Sequence, residues 1–95
     1  MSTAQQITFV FHDDPGHGWL AVPRSLIVLL GLADSISPYS FEDRAGMIYL
    51  EEDVDAPLFL NTAERENWAV SVDEQHSNEF SFVRALPRYA PSKTP

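Results

Sequence analysis

The chain has 95 residues, of which 44% are apolar and 12% aromatic, enough for one hydrophobic core and one domain. Fourteen acidic residues against six basic ones give a formal net charge of -8, which opposes binding to DNA, RNA or an anionic membrane and points to basic partners. Cysteine is absent, so disulfides and thiolate metal sites are excluded.

The first residues, MSTAQQITF, lack the basic and long apolar regions of a secretory signal. The longest apolar stretch, residues 26–32, falls well short of the roughly 20 residues that cross a bilayer. A cytoplasmic protein without membrane contact is the expectation. Six Phe, three Tyr and two Trp spread along the chain argue for a folded domain rather than an acidic disordered tail.

Ile7, Phe9 and Phe11 alternate with Thr8, Val10 and His12, the period of a strand with one buried face. Asp13-Asp14-Pro15-Gly16-His17-Gly18 is rich in turn formers and leads into a second strand over residues 19–22. Pro23 suits the first position of a helix whose apolar face is Leu26, Ile27, Leu29 and Leu30, with Gly31 as C-terminal cap and Leu32 folding back onto it.

Tyr39 and Phe41, a turn ending at Gly46, and the run Met47-Ile48-Tyr49-Leu50 predict a second hairpin. Asp53 or Asp55 is placed to cap a second helix, with Pro57 in its first turn and Ala56, Phe59, Leu60 and Ala63 as the buried stripe, fraying by Asn67. Trp68, Val70 and Val72 alternate again, and Phe80 and Phe82 after the polar turn Ser77-Asn78 predict a third hairpin. The expected class is α+β: an antiparallel sheet of about five to six strands with two helices, in the order ββαββα followed by one or two strands. Residues 1–86 form the domain, and residues 87–95, with three prolines, form a poorly ordered tail.

The segment from His12 to Gly18 gathers two imidazoles and two carboxylates. Such groups bind divalent metal given a further ligand such as Glu51, Asp53 or His76, but Asp-Pro-Gly between two strands is first of all a turn. A catalytic use of His12, His17 and His76 with Asp13 or Asp14 requires a cleft, and no nucleophile elbow, phosphate-binding glycine loop or nucleotide fingerprint accompanies them. The chain is therefore read as a non-enzyme, with no cofactor and no metal assigned.

Residues 42–79 hold eleven of the fourteen acids and two of the six bases, whereas the chain from Phe80 onward holds Arg84, Arg88 and Lys93 and no acid. The densest run, Glu51-Glu52-Asp53-Val54-Asp55, falls where a strand hands over to a helix, and one or two of its acids suffice to complement the helix N-terminus. A calcium loop would need spaced acids and a glycine that this run lacks. The excess carboxylates are read as a partner-binding patch: Glu51, Glu52, Asp53 and Asp55 at its centre, with Glu42, Asp43, Asp73 and Glu74 outlying, imitating a phosphate backbone toward Arg and Lys. The bland alternative is a solvated face that serves solubility. Trp19 and Trp68 read as core residues, and Tyr89 as an exposed aromatic contact.

The segments HDDPGHGWLAVPR, MIYLEEDVDAPLFL and LPRY resemble small acidic proteins carried by phages, plasmids and other mobile elements of bacteria. The resemblance covers most of residues 7–89 and implies a bacterial host cytoplasm and, as one type in that setting, an anti-CRISPR protein that mimics DNA. The expected partner is a basic nucleic-acid-binding protein such as a CRISPR effector subunit. A metal-binding module or small metal-dependent enzyme on the His12–His17 turn, and a plasmid regulatory or stability module, are the alternatives.

Overall fold

A computed structural model describes residues 6–91. Its elements run β1 (Gln6–Asp14), β2 (His17–Pro23), α1 (Arg24–Leu29), β3 (Phe41–Glu42), β4 (Met47–Glu51), α2 (Asp55–Arg65), β5 (Ala69–His76) and a 3₁₀ turn (Phe82–Ala85). The five strands form one sheet in the order β3-β4-β2-β1-β5.

The class α+β holds, with two helices and five strands, but the sheet is mixed rather than antiparallel. The pairs β1–β2, β2–β4 and β3–β4 are antiparallel, whereas β5 lies parallel to β1, with Phe9 opposite Val72. The reason is the connection: β4 and β5 flank the β1–β2 pair, so α2 must carry the chain across one face, and a crossover of this kind delivers a strand parallel to the one it left.

That face bears the main core. Register places Phe9 and Phe11 of β1, Leu20 and Val22 of β2, and Ile48 and Leu50 of β4 on one side, where Ile27 of α1 and Ala56, Phe59 and Ala63 of α2 cover them. Phe59 is fully buried and meets Phe9 edge-to-face at 5.3 Å, a contribution of about 1.5–3 kcal/mol from burial alone. The first helix ends as its sequence demands: Gly31 has φ +74° and the Leu32 amide bonds the Ile27 carbonyl at 2.9 Å, folding Leu32 onto the core. Leu29, expected on the buried side, is exposed, because a helix of six residues presents only Ile27 fully to the sheet. Asn67 takes the left-handed conformation, φ +66°, and closes α2.

The third hairpin does not form. Ser77 donates its amide to the Asp13 carbonyl, and Asp14 then captures the Ser81 amide and the Arg84 guanidinium, so the chain turns onto the opposite face of the sheet. There Val83 packs with Trp19, Phe41 and Tyr49 in a second core cluster, while Phe80 and Phe82 stay largely exposed.

The segment expected to be a loose tail is held, as far as Pro91, by β3 and its neighbours. Phe41 bridges to Arg88, the Glu42 amide bonds the Pro87 carbonyl, and the Tyr89 amide bonds the Ser40 carbonyl. Tyr89 is accordingly buried, not an exposed contact: its ring joins the main core and its hydroxyl donates to the Ala33 carbonyl. Residues 92–95 lie outside the described residues. Trp19 is fully buried as expected, and Trp68 is half-buried against the core.

Candidate functional site

Several of the acidic residues serve the fold. Glu51, nearly buried, accepts the amides of Asp53 at 2.7 Å, Val54 at 2.7 Å and Asp55 at 2.8 Å, so it caps α2 in place of Asp53 or Asp55. Burial works to raise its pKa, but the three amides outweigh burial and hold it below the ordinary glutamate value. Asp55 is fully buried and accepts from the Ser37 amide and from the hydroxyls of Ser37 and Ser40, at 2.7 and 2.6 Å, which fastens the loop after α1 to the start of α2. Glu42 binds Arg24 at 2.7 Å and the Ala90 amide at 2.9 Å. Asp43 ties its own turn through the amides of Ala45 and Met47 and accepts the Tyr49 hydroxyl. Burial first and Asp43 second push the Tyr49 phenol up to about 12.

The eight carboxylates read as one patch therefore do not converge. Glu42, Glu51 and Asp55 face inward, Asp43 is half-buried in its turn, and Glu52, Asp53, Asp73 and Glu74 are exposed. Along β5, Asp73 and Glu74 point to opposite faces, as successive residues of a strand must.

Among the exposed acids, Glu52, Glu64 and Glu74 border one place and Asp53 a second, while Asp73 borders neither. The first is a pair of hollows between α2 and β5 that share Leu60 and Val72. Phe11, Ala56, Leu60, Trp68, Val70 and Val72 line them, and Glu52, Glu64 and Glu74 are the charged residues in their walls. β5 is an edge strand whose apolar face α2 covers only in part, leaving Val70 half-buried and Val72 exposed.

The second is a cleft of about 670 Å³ on the opposite side of the sheet. Trp19 stands opposite Glu51 in the antiparallel β2–β4 ladder, so His17, two positions before Trp19, and Asp53, two positions after Glu51, come to the same side. Trp19, Tyr39 and Phe41 supply aromatic surface, and Arg84 and Arg88 supply cations. Arg88 lies over the Phe41 ring at 4.7 Å and Arg84 over the Trp19 ring at 5.4 Å. The Trp19 indole nitrogen is buried and has no hydrogen-bond partner, alone among the described buried side-chain polar atoms.

The His12–Gly18 segment is divided among different tasks. Asp14 accepts the Gly16 and His17 amides and the Arg84 guanidinium, and Arg84 above all holds its carboxyl well below the ordinary range. Asp13 pairs with His76 at 2.8 Å on the exposed strand end. His12 packs against Tyr49 and Phe82, and burial lowers its pKa. His17 alone joins the cleft with Glu51 and Asp53. Gly18 is no turn glycine: a Cβ there would collide with the Phe11 ring.

Arg84, Arg88, Tyr39 and Ser37 are cleft residues that sequence reasoning passed over. The signal that pointed to the arginines is the basic character of the chain after Phe80 in an otherwise acidic protein. No protein-family model, curated protein or solved structure matches the chain. No helix among the described residues is long and apolar enough to cross a membrane.

Proposed function

We propose that this domain is a non-enzymatic acidic binding protein that engages a basic, nucleic-acid-handling surface of a partner protein and blocks it. An anti-CRISPR-type inhibitor acting in place of DNA is the form of this function to which the mobile-element resemblance leads. The observation that carries the reading is the groove between α2 and β5, where apolar side chains are bordered by Glu52, Glu64 and Glu74. A surface of that kind accepts a partner segment with apolar anchors between Arg and Lys, the apolar contacts giving affinity and the carboxylates orientation and rate.

The proposed binding residues differ from those read from the sequence. Glu52 and Glu74 keep their part, Glu64 joins them, and Glu42, Glu51 and Asp55 act within the fold. Exposed pairs are screened over about 10 Å at 0.1 M salt, so complex formation weakens as salt rises. The test is capture of partners from a bacterial host lysate on the tagged protein and on its Glu52→Lys/Glu74→Lys variant, washed at two salt concentrations. A nucleic-acid-binding protein retained by the wild type at low salt and absent from the variant supports the reading. Retention of the same proteins by both refutes it.

A further inference from the structure

The aromatic cleft, which sets the exposed Asp53 beside His17 and the buried Glu51, has a composition that a protein-binding surface does not require. Among the described residues, His17, Glu51 and Asp53 form the one group of three in which an imidazole nitrogen and two carboxylate oxygens all lie within 4.8 Å of one another. We propose that these three residues bind a divalent transition-metal ion, zinc or manganese in chemical class, at the wall of the cleft.

One nitrogen and two oxygen donors match the borderline ions rather than calcium, which takes an all-oxygen shell of six to eight ligands. Bonds of about 2.0–2.2 Å set ligand atoms roughly 3–3.6 Å apart, inside the 4.8 Å that encloses these three, so binding requires at most a small closing of the side chains on the ion. His17 and Asp53 are the exposed members of the set, and the His17 Nδ1 stands 3.2 Å from the Gly16 carbonyl oxygen. Glu51 is the fixed point. Its two oxygens are oriented by three backbone amides, the kind of outer support that ligating carboxylates have, and Oε2 accepts only the Asp53 amide, leaving it a lone pair for metal.

Behind the site, the buried Trp19 ring meets the His17 imidazole edge-to-face, 5.5 Å between centroids. Three protein ligands leave coordination positions for water or a small anion. Arg88 and Arg84, lining the same cleft, favour an anion there.

The experiment is isothermal titration of tag-free, chelator-treated full-length protein with Zn2+ and, separately, Mn2+ and Ca2+. The wild type is expected to take up one zinc or manganese ion per chain and to bind calcium far more weakly. His17→Ala and Asp53→Asn, both at exposed positions, are each expected to weaken binding at least about tenfold with unchanged circular dichroism and melting temperature. His12→Ala is expected to bind as the wild type does. Absence of one-to-one binding, retention of it in the His17→Ala/Asp53→Asn double variant, or its loss in His76→Ala, which would place the ion at the Asp13–His76 pair, overturns the proposal.

Discussion

Asp14 at the end of β1 and Arg84 in the 3₁₀ turn, 70 residues apart, are joined by two charge-assisted hydrogen bonds, Nε to Oδ2 at 2.6 Å and Nη2 to Oδ1 at 2.9 Å. With the Gly16, His17 and Ser81 amides on the same carboxylate, this contact determines that the chain after β5 turns under the sheet instead of forming another strand.

The Asp14 carboxyl is held below its unfolded value, and Glu51 is shifted the same way. The unfolded chain therefore binds more protons than the folded one as pH falls below about 4, and the stability these groups provide is present above that range and lost beneath it. Urea unfolding followed by tryptophan fluorescence is expected to show a falling midpoint between pH 5 and pH 3, with a smaller fall in Asp14→Asn, which starts lower at pH 7. An equal pH dependence in wild type and variant contradicts the assignment.

Glu51→Ala leaves three amides at the start of α2 without acceptors and is expected to destabilise the domain by about 2 kcal/mol, more than an ordinary single cap, whereas Glu51→Gln, which keeps an acceptor oxygen, loses less. The same substitutions at Glu52, which caps nothing, are expected to change stability by about 0.5 kcal/mol or less. Chemical denaturation at neutral pH reads both.

Gly18→Ala drives a methyl group into the Phe11 ring and is expected to destabilise the domain by about 1–3 kcal/mol, and Phe59→Ala, which empties the middle of the core, by about 3–5 kcal/mol. Pairing Gly18→Ala with Phe11→Leu, which shortens the obstructing side chain, should cost less than the sum of the two single changes. Additive losses would show that the ring is not the obstacle.

What was legible in the sequence was local. The alternation of Ile7, Phe9 and Phe11, the stripe of Ala56, Phe59 and Ala63, and the Gly31-Leu32 cap each depend on neighbours along the chain, and each formed as read. The pairing of β5 with β1 was not legible, because an alternating strand carries no mark of its partner or direction. Nor was the division of the acids: Glu51 and Glu52 are adjacent and chemically alike, yet strand alternation sends one inward to cap α2 and the other to the groove. Arg88 and Tyr89 looked like a loose end because prolines surround them, and the contacts that hold them come from residues 33–42. The sequence set His12 and His17 beside Glu51, Asp53 and His76 as ligand types without assigning a metal, and only the β2–β4 register brings His17, Glu51 and Asp53 together and sets His12 and His76 apart.

The central claim is that the groove between α2 and β5 receives a basic partner segment, and it is tested most directly on the captured partner itself. Its affinity for wild type, for Glu52→Lys/Glu74→Lys and for Leu60→Glu is to be measured at two salt concentrations. The account predicts that the charge-reversed pair binds at least about tenfold more weakly and loses most of its salt dependence, and that Leu60→Glu, at a half-buried position, weakens binding while the domain still melts cooperatively. Unchanged affinity and salt dependence in both variants, with binding abolished instead by Arg88→Ala in the cleft, would contradict it.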